Sequence, residues 1–404
     1  MRVGILTNSY PPNLNGVSVA VVNLEKALIK AGVEVFIATP RIPGVKYPSH
    51  VLPIKSAPLP STISPDLRFP YNYIRQCIKF FQTNQIDILH SQDTMVGGLE
   101  AITIAARLKI PAVHTYHTFI EEYDYFKFPG YKQFIRFFGQ IVCDGHNAII
   151  APSAKVRDYL IEHKVSSPIH FLLNILTPPA KVEPGSNIWL KKFPNLNQTF
   201  NYLTFGRIAK EKNIQLGINL IAPILRSNPG TKYIIAGSGP YEKELQSQIQ
   251  DLGLTDQIIL VGRYDRENLG QLCSLAKVFL ITSTSDVNPF TVFEAMYFGL
   301  PVTAIEDAAY DFFIQGGIGG RQLREDHITG FCTQLLEDPI LLSKLSTQAK
   351  AQAKSLTVKN WALDYIQLYN QVIAESKINQ LPPNPMLQNL ISFQNYFASL
   401  GKLP

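Results

Sequence analysis

Short apolar segments alternate along the chain with longer segments in which apolar residues recur every three or four positions. In the first half, the strand candidates are residues 3–7, 34–38, 86–90, 112–114, 148–151 and 169–173. In the second half, they are residues 201–205, 233–236, 258–261, 278–281 and 302–304. Apolar strands that alternate with helical segments predict α/β units whose sheets are parallel and doubly wound.

The alternation stops and restarts around a stretch rich in proline and glycine, residues 177–185. A chain of 404 residues also exceeds what one hydrophobic core normally supports. We therefore predict a first domain at 1–175, a linker at 176–200, a second domain at 201–360 and a C-terminal helix with tail at 361–404. We expect the helix to return to the first domain. Ligands of such sheets bind at the carboxyl ends of the strands, which predicts a site in the cleft between two domains.

Composition and charge narrow the function classes. The four cysteines are scattered without a CxxC pair, which argues against a zinc site or a disulfide framework and fits a reducing cytoplasm. We expect no signal peptide and no membrane span, because no uninterrupted apolar run approaches about 18 residues. The net charge is +6, and residues 1–175 hold 17 basic and 12 acidic side chains. This mild excess favours anionic ligands or phospholipid surfaces and is too small to indicate nucleic-acid binding.

The segment 285–301 predicts a short buried helix that contains one acid, Glu294. Asn288 suits the N-cap, Pro289 the first helical position and Gly299 the position after the helix. A carboxylate among apolar neighbours is costly unless it has a partner. That partner is either a lysine or arginine of the protein or a bound ligand.

The start of the same helix predicts an anion site. The N–H groups between Asn288 and Thr291 have no partner within the helix, and they lie at the positive end of the helix dipole. Asp286 comes just before them, and Glu294 follows inside the helix. An anion site next to two carboxylates suggests recognition of phosphate and hydroxyl groups together, as in a sugar nucleotide.

Two turns after strands of the second half add to this picture. The first contains Gly206, Arg207 and Lys212, where glycine allows close approach and the cations can hold phosphate oxygens. A solvated basic turn explains the same residues. The second turn contains Gly237, and it lacks the full dinucleotide fingerprint, so a plain strand-to-helix turn is the alternative.

In the first half, Gly16 lies near the start of a helix, and His117 follows a strand. The Gly16 amide can face a diphosphate, or the glycine can simply begin the helix. His117 can bind a sugar hydroxyl or a reacting oxygen, or it can be structural. The spacing of His114 and His117, without a third ligand, falls short of a metal site.

Residues 125–138 combine aromatic and basic side chains, a mixture suited to a membrane interface. Core packing with an exposed basic face is the alternative. The candidates for membrane contact are Lys127, Phe128, Tyr131, Lys132, Phe134 and Arg136.

Together these motifs resemble those of the retaining glycosyltransferases of family 4, over roughly residues 1–370. The most specific parts are the 206–213 turn and the block from Asp286 to Pro301, and residues 151–153 and Trp361 are also typical. The resemblance implies the α/β GT-B architecture, in which two Rossmann-like domains face each other across a cleft. The first domain would bind the acceptor, and the second would bind a nucleotide diphosphate sugar.

The resemblance also implies roles for individual residues. Arg207, Lys212 and the helix amides would hold the donor diphosphate, Glu294 the ribose, and Asp286 the hydroxyls of the sugar. The catalytic candidates are His117, Asp286, Arg207 and Lys212. The donor-binding candidates are Gly16, Gly206, Arg207, Lys212, Gly237, Asp286, Phe290, Thr291 and Glu294. In this family the leaving phosphate assists deprotonation of the acceptor, so no cofactor, metal or protein nucleophile is expected.

Within the family, residues 115–118 followed by Glu122 and Tyr123 look most like bacterial diacylglycerol glucosyltransferases. We therefore expect a cytoplasmic enzyme, attached peripherally to the inner face of the cell membrane, that moves glucose from UDP-glucose to a lipid such as diacylglycerol. The family usually has glutamate at position 286 and glycine at position 15, where this chain has Asp286 and Asn15. A GDP-mannose-dependent mannosyltransferase acting on phosphatidylinositol or on a soluble or polysaccharide acceptor, and a catalytically weak sugar-nucleotide-binding protein, are the alternatives.

Overall fold

The computed structural model describes residues 1–12, 15–58, 68–70, 72–93, 96–122, 129–179, 187–358 and 360–378. It divides into two compact units. Unit 1 comprises residues 1–175 together with the C-terminal helix that begins at Trp361, and unit 2 comprises residues 176–359.

Unit 1 is built around a seven-stranded sheet with the order β3-β2-β1-β6-β7-β8-β9, in which every neighbouring pair is parallel. Its strands are β1 (Arg2–Leu6), β2 (Glu34–Pro40), β3 (Val51–Ile54), β6 (Ile88–Ser91), β7 (Ala112–Thr115), β8 (Ala148–Ala151) and β9 (Ile169–Phe171); β4 (Ser56–Pro58) and β5 (Arg68–Pro70) form a small antiparallel pair. Its helices are α1 (Gly16–Lys30), α2 (Tyr73–Thr83), α3 (Val96–Leu108), α4 (Tyr131–Asp144) and α5 (Ala154–Glu162).

The core of unit 1 forms where α2 and α3 cover the sheet. Leu6 and Leu89 from the strands pack with Phe81 and Ile104 from these helices. Parallel strands buried on both faces read as apolar runs, which is why the sequence signals them so clearly.

Unit 2 repeats the plan with six parallel strands in the order β12-β11-β10-β13-β14-β15. The strands are β10 (Phe200–Phe205), β11 (Thr231–Ala236), β12 (Ile258–Gly262), β13 (Val278–Ile281), β14 (Val302–Ile305) and β15 (Gly320–Leu323). The helices are α6 (Ile188–Lys192), α7 (Ile214–Ser227), α8 (Glu242–Asp251), α9 (Leu269–Cys273), α10 (Phe290–Tyr297), α11 (Glu325–Glu337) and α12 (Pro339–Val358). Its core includes Tyr202, Ile218, Tyr233, Leu280 and Leu335.

The C-terminal helix α13 (Trp361–Ile378) packs on unit 1 through tyrosine hydroxyls. The hydroxyl of Tyr365 donates to the carbonyl of Leu173 at 3.1 Å, and that of Tyr369 lies 2.7 Å from Nδ1 of His90. A buried phenol needs such a partner, so these bonds fix where the helix lies on the unit.

Each strand that the apolar pattern predicts is present, and the prediction of an α/β fold with parallel sheets is confirmed. Two strands at sheet edges, β3 and β15, were not predicted. The first contains Pro53, and the second has the sequence Gly-Arg-Gln-Leu. Edge strands tolerate such residues because one side of their backbone has no neighbouring strand. All four cysteines are buried free thiols. Across the described ranges, the helices lack the combined length and apolarity needed to cross a bilayer.

Candidate active site

The turn after β10 is packed against the turn after β11 through backbone atoms. Gly206 and Gly237 adopt φ angles of 145° and 146°, which residues other than glycine rarely adopt. The amide of Gly206 donates to the Ala236 carbonyl at 2.9 Å, and a Cβ on Gly237 would lie 1.8 Å from the Gly206 carbonyl oxygen. The neighbouring backbone therefore requires glycine at position 237, and the contact of Gly237 with the donor stays a prediction.

The cations of this turn differ in their surroundings. Arg207 is exposed, and no described residue forms an ion pair or hydrogen bond with its guanidinium. Lys212 instead donates from Nζ to Oδ1 of Asp286 at 2.8 Å. The turn thus presents one arginine open to an anionic ligand and one lysine already held by the carboxylate that precedes α10.

Two further bonds fasten the turn after β10 to the loop after β13. The hydroxyl of Ser285 donates to the Glu211 carbonyl at 3.0 Å, and that of Thr282 donates to the Asn213 carbonyl at 2.8 Å. Together with the Lys212–Asp286 pair, they fix two sequence-distant loops at one edge of the sheet. This places the predicted diphosphate-binding and sugar-binding residues side by side.

Helix α10 lies beside that turn. A Cβ on Gly206 would lie 3.8 Å from Cγ2 of Thr291, in the first turn of the helix. The helix begins at Phe290 with Pro289 as its cap residue, so the prediction of Asn288 as N-cap was wrong by one residue. The extended ψ of 101° at Pro289 keeps it outside the helix. The amides of Phe290 and Thr291 consequently lie at the edge that carries Arg207.

The other end of α10 follows the prediction closely. Gly299 adopts a φ of 84°, its amide donates to Met296 at 2.9 Å, and the amide of Leu300 donates to Ala295 at 3.0 Å. These two bonds define a Schellman motif. The helix therefore has the short length that the glycine and the following proline predict.

Glu294 is 5% exposed and has a partner in the protein: Arg266 donates from Nη2 to its Oε1. Burial raises the pKa of the Glu294 carboxyl to about 7, and the nearby Arg266 opposes that rise. The alternative of a basic protein partner is thus realised. In the part of the chain that the structure describes, Oε2 accepts no hydrogen bond.

In unit 1, His117 lies just beyond β7 and is bonded to Gln92, just beyond β6. Its Nε2 lies 2.6 Å from Oε1 of Gln92. Burial lowers the pKa of His117 to about 4, so the ring is neutral at neutral pH. His114 is fully buried, with its ring centroid 5.1 Å from that of His146, and serves the core.

Gly16 is the first residue of α1, and Asn15 caps that helix by accepting from the Ser18 amide at 2.9 Å. A Cβ on Gly16 would meet no atom within 4 Å among the described residues. Packing within the described part of the chain therefore does not require glycine here, which leaves its predicted approach to a diphosphate as a prediction. The Asn15 side chain, where the family usually has glycine, has a clear structural role as the cap.

Helix α4 carries the described part of the aromatic and basic segment. Phe134 and Phe137 are 53% and 52% exposed. Tyr131 is only 7% exposed, because the helical repeat places it on the inner face with Ile135. It is therefore not available for the membrane contact that the sequence predicted.

The predicted basic side chains of α4 are described, but they are not free charges. Nζ of Lys132 lies 3.8 Å from Oε1 of Glu122, and Nε of Arg136 lies 3.5 Å from Oε1 of Glu121. Their attraction for anionic lipid is therefore weaker than the sequence suggests. The predicted contacts Lys127 and Phe128 lie outside the described residues.

Sequence reasoning missed Arg266 and Gln92. Arg266 follows β12 and precedes Glu294 by 28 residues, and Gln92 precedes His117 by 25 residues. Both follow strands that the apolar pattern does predict, so polar residues after each strand were the available signal. Among the described residues, no group of three or more His, Cys, Asp or Glu is arranged to hold a metal ion.

Two family models match the chain. Residues 14–175 match glycosyltransferase family 4, and residues 187–352 match glycosyl transferases group 1. Together they span most of both units.

Individual proteins match as well. The chain is 30% identical to alpha-monoglucosyldiacylglycerol synthase from Streptococcus pneumoniae, over 75% of this chain and 71% of that protein. It is 25% identical to the protein of the same name from Acholeplasma laidlawii, over 94% of this chain and 100% of that protein. Its fold matches the structure of Anabaena HepE in complex with UDP and glucose, with a TM-score of 0.73, 16% identity and coverage of 92% and 99% of the two chains.

Proposed function

We propose that this chain, which belongs to the family 4 glycosyltransferases, transfers glucose from UDP-glucose to diacylglycerol at a membrane surface. It has the GT-B fold and is a hexosyltransferase. The observation that carries the proposal is the edge of unit 2 where Arg207, the Lys212–Asp286 pair and the first amides of α10 lie together. The names of the two relatives support the lipid acceptor, and the UDP and glucose bound to HepE support the donor.

The donor diphosphate fits the cationic part of this edge. Arg207 offers a planar fork for phosphate oxygens, and the amides of Phe290 and Thr291 add donors at a helix N-terminus. When the bond from the anomeric carbon to the diphosphate breaks, negative charge grows on the leaving phosphate. Fixed positive groups stabilise that charge without reorganisation.

The carboxylates of the edge fit the neutral parts of the donor. Oε2 of Glu294 can accept from a ribose hydroxyl, while Arg266 keeps the other oxygen in place. Asp286, oriented by Lys212, can accept from a hydroxyl of the sugar. His117, neutral and held by Gln92, serves a hydroxyl in unit 1.

We propose that transfer retains the configuration of the anomeric carbon. The acceptor oxygen forms its bond on the face from which the diphosphate departs, and its proton passes to the leaving phosphate oxygen. Every atom is then accounted for without a protein nucleophile, and we propose that the cations of the edge remove the need for a metal ion.

Acceptor-dependent release of UDP tests the proposed function directly. The purified protein is mixed with UDP-glucose and vesicles that contain diacylglycerol. We expect equal amounts of UDP and α-glucosyl lipid, and no reaction when GDP-mannose replaces the donor. UDP release that ignores diacylglycerol, a β-linked product or a preference for GDP-mannose would each contradict the proposal.

For the membrane surface, we propose that Phe134 and Phe137 on α4 insert into the lipid interface at the inner face of the cell membrane. Aromatic side chains exposed beside lysine and arginine are suited to that position. In vesicle flotation, replacing both phenylalanines by serine should abolish binding. Phe171→Ser, which removes an exposed phenylalanine from β9 of the same unit, is the matched control and should bind normally. Undiminished flotation of the double variant would refute this surface.

A further inference from the structure

Strands β6 and β7 are linked by two side-chain bonds with the same spacing along the chain. Nε2 of His90 lies 2.7 Å from Oγ1 of Thr115, and Oε1 of Gln92 lies 2.6 Å from Nε2 of His117. Each bond joins residues 25 positions apart, and the second joins residues that lie just beyond the ends of both strands. We call the His90–Thr115 bond the inner rung and the Gln92–His117 bond the outer rung, because the second lies nearer the carboxyl edge of the sheet.

The inner rung is anchored from a third element. His90 is fully buried, and its Nδ1 lies 2.7 Å from the hydroxyl of Tyr369 on α13. The backbone of the outer rung is fixed as well, because the amide of Gln92 donates to the Leu6 carbonyl at 2.9 Å. Gln92 is itself only 3% exposed, so its side chain has little freedom.

The outer rung decides which nitrogen of His117 carries the proton. A glutamine carbonyl oxygen can only accept, so with Oε1 of Gln92 turned toward the ring, 2.6 Å from Nε2, this nitrogen of the histidine is the donor. Neutral imidazole has one N–H, so Nδ1 is then an acceptor. In the described part of the chain, no residue occupies that nitrogen, and His117 is partly exposed.

We infer that Gln92 is a positioning residue: its side-chain carbonyl holds His117 in the tautomer whose Nδ1 accepts a hydrogen bond from a substrate hydroxyl. The nature of that substrate rests on the proposed function, whereas the tautomer does not. The role of the family-typical histidine thus depends on a residue outside the motif that contains it. Gln92 carries out this role through one oxygen, without touching the substrate.

Nitrogen NMR of the protein labelled with ¹⁵N-histidine reads the tautomer directly, and a His117→Asn spectrum assigns the signal. We expect wild-type His117 to be protonated at Nε2. A wild-type ring protonated at Nδ1 would overturn the inference, since Gln92 would then donate its amide instead of accepting. This measurement needs no variant of Gln92 to fold.

Two variants test the consequence for the enzyme. Gln92→Leu removes the acceptor and should lower kcat by at least about 10-fold, as misoriented histidines do elsewhere. Gln92→Glu keeps an acceptor and adds a negative charge, which should raise the pKa of His117 and move the acid limb of the pH profile upward. A merely structural glutamine would weaken stability without moving that limb, and an unmoved limb overturns the inference.

Gln257→Leu is the matched control, because it deletes a glutamine side chain of unit 2 that donates to backbone carbonyls and bonds no histidine. Its pH profile should coincide with that of the wild type. The two proposals fail separately. Absence of glucosyl transfer with a wild-type ring protonated at Nε2 refutes the function and leaves Gln92 as the group that fixes the tautomer.

Discussion

The carboxyl edges of the two sheets are built from opposite kinds of chemistry. In unit 2 the edge is charged, with the open Arg207 and the Lys212–Asp286 and Arg266–Glu294 pairs. In unit 1, His117 at the corresponding edge is uncharged and bonded to an amide. The same fold has thus been given an edge suited to a diphosphate and an edge suited to hydroxyl groups. The difference shows that function in this fold follows from the residues placed after each strand.

Loss of the open cation should have the largest effect on this contrast. Arg207→Gln keeps most of the bulk and removes the charge, so kcat should fall by about 100- to 1,000-fold, as expected for a group that stabilises developing charge. Steady-state kinetics with UDP-glucose and diacylglycerol measures it. Arg324→Gln, which removes an exposed arginine paired with Asp326 on α11, is the control and should behave as wild type. Near-normal turnover of Arg207→Gln would refute its role.

Asp286 is the next position to change, because it holds Lys212 and, in the proposed function, accepts from a hydroxyl of the sugar. Asp286→Asn keeps the size and removes the charge that orients Lys212, so kcat/KM for the donor should fall by about 10- to 100-fold, the value of one charged hydrogen bond. Asp286→Glu restores the residue usual in the family and should change the ratio of rates with UDP-glucose and other UDP-hexoses. An unchanged ratio would remove Asp286 from donor selection.

Glu294→Gln should affect the donor more modestly. In the proposed function the amide can still reach a ribose hydroxyl but pairs poorly with Arg266, so KM for UDP-glucose should rise by about 10-fold with little change in kcat. If kcat fell while KM stayed constant, Glu294 would act on the reacting centre instead of on the nucleotide. Glu244→Gln, on the exposed face of α8, is the control.

The smallest expected effect is on stability. It involves buried acids with raised pKa values, which both units contain. Burial raises the pKa of Glu294 from 4.5 to about 7 in unit 2, and in unit 1 it raises that of Asp93 from 3.8 to about 7 and that of Glu100 from 4.5 to about 8. The folded state therefore keeps these protons bound up to a higher pH than the unfolded chain does. The contribution of these acids to stability is complete below their unfolded-state pKa values. It is lost as pH rises through their folded-state pKa values.

Melting temperatures between about pH 5 and 8 test this sign. Each acid changes the free energy of unfolding by at most about 1.4 kcal/mol per pH unit. The melting temperature of Glu294→Gln relative to wild type should rise with pH, while that of the Glu244→Gln control should stay constant. A relative melting temperature that stays constant over this range would mean that Arg266 offsets the effect of burial.

The sequence was sufficient for the fold because strands buried on both faces are apolar runs, and because Gly299 marks the end of α10 so clearly. It was less informative about partners. Nothing in the chain order joins Arg266 to Glu294 or Gln92 to His117, since these pairs form only when neighbouring loops fold onto one edge. The inward position of Tyr131 follows from the helical repeat, but only once the buried face of α4 is known.

Calorimetric titration with UDP tests the division between the two edges most directly, because UDP carries the charged part of the proposed donor and lacks its hexose. We expect Arg207→Gln to weaken UDP binding by at least about 10-fold, whereas Gln92→Leu should bind UDP as the wild type does. Equal weakening in both variants, or undiminished binding by Arg207→Gln, would contradict this division.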